Sequence, residues 1–550
     1  MFKGHPVGLF VLGLSNMGER FGYYTVVSIF TLFMGAKFGW SDEQVGDIWS
    51  FFLLAVYGLV ALGGFVADRI GYGRTIIMGI VTMMTGYALM AVPASEEWFV
   101  YLALGVIALG TGLFKGNLVV ILGKLYEPEQ YKKLQDTAFN IYYMAINVGA
   151  FFAPYAAAGV RKLFLGQAGF TYDPNLPGMA NLFLEGKLEN VPEFLRLAQA
   201  QVPGVTDLTQ FSNDYLAALT NGYHAGWGIA AVSVVVSFAI YLSSRRFFKH
   251  ADYRGEKKVE GVAAVEIPAK QFRQRVVALF LVFFVVMFFW FVFQQSGYLL
   301  TLFAKNYTNT IAGRLTHLFF DLPGVLSVIG AVIGLVLLVG RGSAKRRGLG
   351  AALLAVGAGV ASWRALGFDV TSRIDIEVFQ SFNPLFVVFL TPLVVWFFAV
   401  LNKRNREPST PRKIMYGLFV GAVAYLVMVG ASWGLASPSS LEAGGGVSPV
   451  LVTPYWLVGT YFTLTIAELF LSPMGLSLVA KVAPPKVKGL MQGFWFLFTG
   501  LGNWLSGQVG ALYVRIELWQ TFLVLLVACF LAAILMLAAT RAVERAVKMS

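Results

Sequence analysis

The sequence predicts an all-α polytopic membrane protein with fourteen spans: two six-helix bundles, the second carrying an inserted two-helix hairpin. Three observations predict it. The 550 residues are 57% hydrophobic and 13% charged, with mean hydropathy +0.69, whereas soluble proteins carry about 25% charged residues. Apolar runs close to the ~20 residues that a bilayer needs recur along the whole chain. Lysine and arginine alternate between dense and sparse in successive loops.

In order, the first six spans lie at approximately 7–34, 47–67, 75–93, 98–122, 137–160 and 222–243. A basic connector follows over about 244–272, with Arg245, Arg246, Lys249, Arg254, Lys257 and Lys258. The remaining spans lie at approximately 274–303, 323–340, 349–366, 383–401, 413–433, 454–480, 489–513 and 520–540. The domain reading is therefore a bundle over 1–243, a linker over 244–272 and a bundle over 273–550. Between spans five and six, about 161–221 forms an outer insertion, with turn signals at Asp173-Pro174-Asn175 and Gln201-Val202-Pro203-Gly204. Periodic runs around Phe194–Gln201 and Tyr215–Leu219 predict short helices there. The basic turn Arg341 to Arg347 joins two apolar segments into the hairpin, about 322–367, which restores chain direction. It carries few polar residues, so it is expected at the edge of the bundle.

With the N-terminus in the cytoplasm, thirty of the 42 lysines and arginines fall in cytoplasmic segments and ten in outer ones. This asymmetry predicts both termini inside. It also accounts for much of the net charge of +13 without nucleic acid as a partner. The one cysteine, Cys529, excludes an intrachain disulfide, and the four scattered histidines have no metal-ligand spacing, so no cofactor is expected. The first apolar run is too long and too charged for a cleavable signal peptide. No His/Cys/Asp cluster has catalytic spacing, which argues against an intramembrane enzyme.

Few ionisable side chains fall deep inside spans: Glu19, Arg20, Lys115 and Glu468. Such a group costs about 2.5–3.5 kcal/mol at a helix centre on insertion scales, and it marks function by default. The plainer reading is a set of structural ion pairs tying helices together. Helical spacing puts Asn16, Glu19, Arg20, Tyr23 and Tyr24 on one face of the first span, which reads as a cavity wall. Cations on the N-terminal half and an anion on the C-terminal half suit a zwitterion, with its carboxylate at Arg20 and Lys115 and its ammonium at Glu468. At the end of span two, Gly63-Gly64-Phe65-Val66-Ala67-Asp68-Arg69-Ile70-Gly71-Tyr72-Gly73-Arg74 offers Asp68, Arg69 and Arg74 for a salt-bridged latch. The alternative is an ordinary positive-inside loop.

These stretches carry a resemblance. Gly63 to Arg74 resembles the loop between the second and third helices of the major facilitator superfamily. Glu19-Arg20-Phe21-Gly22-Tyr23-Tyr24 and Phe139 to Ala150 resemble first- and fifth-helix motifs of its proton-dependent oligopeptide transporter family. Tyr223-His224-Ala225, Trp290 to Gly297, Gln380 to Pro384, Glu468 to Gly475 and Trp495 to Asn503 match in order. The resemblance implies proton coupling through Glu19 and Glu468. It implies substrate binding by Arg20, Tyr23, Tyr24, Tyr57, Lys115, Asn147, Trp290, Gln294, Asn383, Glu468, Ser472 and Trp495. Two departures bear on coupling. Asn16 replaces the first glutamate of the family's E-x-x-E-R motif, and Gln294 stands where a carboxylate is frequent. The expected function is proton-coupled import of di- and tripeptides across the cytoplasmic (inner) membrane, acting as a monomer with protons, peptides and lipid as partners. The alternative is a carrier of another small anion, zwitterion or drug with weak or altered coupling.

Overall fold

Apolar segments this long bury their backbone polar groups as helix, the solution a bilayer permits for an unclosed chain. The computed structural model describes residues 4–93, 96–132, 134–252, 268–340, 342–369, 372–442, 446–484 and 487–548; the side chains of residues 136, 442, 472–474, 476, 477, 480, 488 and 489 lie outside the described set. Among the described residues, twelve helical stretches are long and apolar enough to cross a membrane. Two further long helices, Tyr455–Val482 and Lys488–Tyr513, complete the series.

The first bundle comprises α1 (Val7–Phe38), α2 (Asp42–Ile70), α3 (Tyr72–Ala91), α4 (Glu97–Leu125), α5 (Gln135–Gln167) and α6 (Leu208–Ser243). The second comprises α7 (Ala269–Phe293), α10 (Phe382–Lys403), α11 (Thr410–Ser432), α12 (Tyr455–Val482), α13 (Lys488–Tyr513) and α14 (Leu518–Lys548), with α8 (Leu322–Val339) and α9 (Ala344–Gly367) as the hairpin. Fourteen spans place both termini on one side. We call it the termini face and the opposite side the far face.

Local signals explain several ends. Gly39 closes α1 with φ 63°, a left-handed conformation that glycine adopts without strain. Ser41 and Gln44 form a reciprocal capping box that starts α2. Asp207 caps α6 by accepting from the Gln210 amide. Helix α6 therefore starts well before residue 222. Tyr215–Leu219 belongs to it rather than to a separate short helix, because Leu208, Phe211, Tyr215 and Leu219 continue one buried stripe. Helix α5 likewise runs on to Gln167. What remains between them carries two short helices, Leu176–Leu184 and Val191–Gln201.

The hairpin helices pack on each other and on the short helix Arg314–Phe320. Only 22% and 11% of their apolar windows are buried, so they stand at the periphery. Arg364 makes a bidentate bond to Asp321, which ties the far ends of the two helices.

Two contacts join the bundles along their length: α2 against α13, and α5 against α10. At the first, a Cβ on Gly46 would lie 2.5 Å from the Gly507 carbonyl oxygen, so the helices meet backbone to backbone.

Candidate functional site

Helix α1 is buried over most of its length because α5, α6 and, at its far end, the second bundle surround it. Glu19 is fully buried, and Arg20 grips it in a bidentate pair, Nε to Oε2 at 2.5 Å and Nη2 to Oε1 at 2.6 Å. The Arg20 guanidinium lies 4.8 Å from the centroid of the Tyr23 ring, and Tyr23 meets Tyr24 edge to face. On α4, the Lys115 ammonium sits 3.8 Å from the centroid of the Tyr57 ring of α2. It pairs with no carboxylate among the described residues, although the charges of Arg20 and Glu19 both reach it. The structure therefore gathers Glu19, Arg20, Tyr23, Tyr24, Tyr57 and Lys115 on one wall.

The opposite wall belongs to the second bundle. Glu468 of α12 accepts from the Tyr143 hydroxyl of α5 at 2.5 Å and from the Asn383 amide of α10 at 2.9 Å. The Tyr143 bond crosses between bundles, so Glu468 faces the first-bundle wall. Glu468 too has no cationic partner among the described residues. The Tyr24 hydroxyl lies within electrostatic reach of Tyr57 and Arg20 on its own side and of Glu468 across the gap. Asn383 also donates to Thr465, which fixes it against α12. Asn147 donates to the Tyr143 carbonyl one turn back on α5.

The aromatic residues expected at the site split. Trp495 is buried and its ring packs against Gly475, where a Cβ would collide with it. Trp290 packs on Phe289 and Phe293, and its indole N–H has no partner among the described residues. Gln294 opens a 3-10 turn, Gln294–Gly297, that interrupts the expected span 274–303 before a last helical piece, Leu299–Asn306. The interruption holds because the Gly297 carbonyl turns to Thr31 of α1, at 3.0 Å. The side chain of Ser472 lies outside the described residues.

At the end of α2, Asp68 accepts from Tyr72, Arg69 covers the Phe65 ring, and Arg74 is exposed. Among the described residues the ion pair at that corner is Arg245–Asp252, and Asp252 also receives the Gly73 amide at 2.8 Å. A Cβ at position 73 would sit 2.1 Å from that carboxylate, which is why the corner needs glycine there.

Sequence reasoning missed the charges that close the far face. Arg161 of α5 is fully buried, bonded to Glu377 at 2.6 Å and to Asp375 at 2.9 Å, and stacked on Tyr172. Its position at the end of an apolar run makes it look like a loop charge. Lys162–Asp375, Arg373–Asp173 and Arg515–Glu43 join the same face. Ser381 donates to the Phe151 carbonyl, Gln380 to that of Val27, and Gln508 to Asp47. These bonds between bundles cluster at or farward of Glu468. In this conformation the far side is shut.

A family model described as the POT family matches residues 73–272 and 364–524. Among curated proteins, dipeptide and tripeptide permease A of Yersinia pestis is 26% identical over 519 residues, covering 92% of this chain and 84% of its own. The peptide transporter YePEPT of Yersinia enterocolitica is 26% identical over 97% of this chain and 93% of its own. A solved structure of a peptide transporter POT in complex with sulfate aligns over 99% of this chain and 96% of its own, with TM-score 0.66 and 22% identity. A POT family transporter in complex with 5-aminolevulinic acid aligns over 99% and 98%, with TM-score 0.67 and 18% identity. At these identities the solved structures show a shared fold, and the family model, matched over most of the chain, shows the family. The chain belongs to the POT family.

Proposed function

We propose that this protein imports di- and tripeptides together with protons across the cytoplasmic membrane, with both termini inside and a single chain as the working unit. One observation carries the reading: Lys115 and the Glu19–Arg20 pair on one bundle oppose Glu468 on the other, across a wall of tyrosines. A peptide is a zwitterion of the matching polarity. Its carboxylate meets Arg20 and Lys115, and its ammonium takes Glu468, whose present partners are a phenol and an amide. The Trp290 indole N–H is a further donor for the peptide backbone.

Transport then follows from rocking of the two bundles about this site. Opening the far face separates the Arg161–Glu377 pair and its neighbours, which admits peptide and proton. A proton on Glu19 loosens its grip on Arg20 and frees the guanidinium for the peptide carboxylate. Closure restores the far-face pairs, and opening of the termini face hydrates the site and releases both cargoes. Asp68, Arg69 and Arg74 re-pair on that side when it closes. An inside-negative potential adds about 2.3 kcal/mol per charge per 100 mV. The proton is the coupling ion, and no other cofactor is required.

Asn16 and Gln294 favour a second reading, a carrier of another zwitterion with weaker coupling, since neither side chain titrates. Displacement of a labelled dipeptide by unlabelled di- and tripeptides, and not by single amino acids, supports the first reading. Displacement by amino acids alone supports the second.

A further inference from the structure

A basic groove opens on the termini face, far from the site above. It lies between the start of α7 and the end of α14, two helices that pack together, and encloses about 760 Å³. Lys270 and Arg273 line it from α7, and Arg545 and Lys548 line it from α14. All four are exposed, and none pairs with a carboxylate among the described residues. The nearest acidic residue on α14, Glu544, is engaged by Arg412 at 3.1 Å and Ser409 at 2.5 Å. No carboxylate of the described residues lines the groove.

The lining changes character with depth. On α7, Lys270 and Arg273 give way to Val277 and Leu281 on the same face, three to four residues apart, and Val277 is exposed. Arg273 and Leu281 are eight residues apart, about 12 Å along the helix. Helix α14 has 31 residues, about 46 Å, so it overruns a hydrocarbon core of roughly 30 Å. Its last turns, with Arg545 and Lys548, therefore stand at headgroup level, while Val277 and Leu281 reach the acyl region.

We propose that this groove binds an anionic phospholipid. Its phosphate sits among Lys270, Arg273, Arg545 and Lys548, and its acyl chains lie along Val277 and Leu281. Cations gathered at helix ends recognise acidic headgroups in this way. A simple basic loop offers no apolar floor, and a site for free phosphate needs none.

The test is native mass spectrometry of the purified protein titrated with phosphatidylglycerol or phosphatidylcholine. Phosphatidylglycerol is expected to bind at least about tenfold more tightly. Each neutralised cation is expected to cost about fivefold, from roughly 1 kcal/mol per cation near an anionic surface. The double variant R273Q/R545Q then loses about twentyfivefold, while K403Q/R404Q/R406Q, which neutralises exposed cations elsewhere on the same face, keeps the preference. Monodisperse elution and unchanged dipeptide binding establish that each variant is folded. Equal loss in both variants, equal binding of the two lipids, or displacement of the lipid by inorganic phosphate would each overturn the proposal.

Discussion

Glu19 and Glu468 are two carboxylates buried in apolar helices, and they are satisfied in different ways. Glu19 has a full counter-ion one residue away, held through two charge-assisted hydrogen bonds. Among the described residues Glu468 has Tyr143 and Asn383, both neutral. A buried charge is costly to leave unpaired. The difference separates their tasks: Glu19 already owns its cation, so a proton there changes what Arg20 can do, whereas Glu468 lacks a cation that the substrate can bring.

The largest expected effect tests the first half of that contrast. Glu19→Gln is expected to abolish uptake driven by a proton gradient while peptide exchange across liposomes stays measurable. Loss of both together would make Glu19 a structural residue. Next, Glu468→Gln removes the partner of the peptide ammonium. Truncating one side of a buried charge pair costs about 2–5 kcal/mol, so dipeptide affinity should fall about thirtyfold or more in equilibrium binding. An N-terminally acetylated peptide, which has no ammonium, should bind wild type and variant alike.

Glu19, Arg20, Lys115 and Glu468 were legible in the sequence because an ionisable group inside an apolar run is expensive wherever it points. The fourteen spans were legible for the same reason: hydropathy and loop charge are local properties. What those properties do not carry is which side chain faces which. Tyr143 is one of many aromatics until α5 and α12 are brought together, and Arg161 sits at the margin of its span. The early start of α6 was readable in the spacing of Leu208, Phe211, Tyr215 and Leu219, but Asn213, Asp214 and Asn221 interrupt the hydropathy. The break at Gln294–Gly297 depends on a contact from Thr31, which lies 266 positions away in the chain.

A smaller effect sharpens the contrast from the side of Glu468. Tyr143→Phe removes a bond to a carboxylate that spans the bundles. Hydrogen bonds to charged groups contribute about 1.5–3 kcal/mol, so the balance between far-open and far-closed forms should shift by about tenfold or more. Labelling of a single cysteine placed on the far face, in a Cys529→Ala background, reads that balance. The smallest effect belongs to the far-face rim. Arg373 and Asp173 form a partly exposed pair, which contributes about 0–1 kcal/mol, so Arg373→Ala should change the same labelling ratio by no more than about fivefold. A larger shift than that of Tyr143→Phe would move the hinge of the account from the site to the rim.

The central claim is proton-driven peptide import. Its most direct test is uptake of a labelled dipeptide into liposomes with acid outside and an inside-negative potential. The account predicts accumulation that collapses when the gradients are dissipated. Peptide binding without gradient-dependent uptake would contradict it, and would mean that Asn16 and Gln294 have left an exchanger.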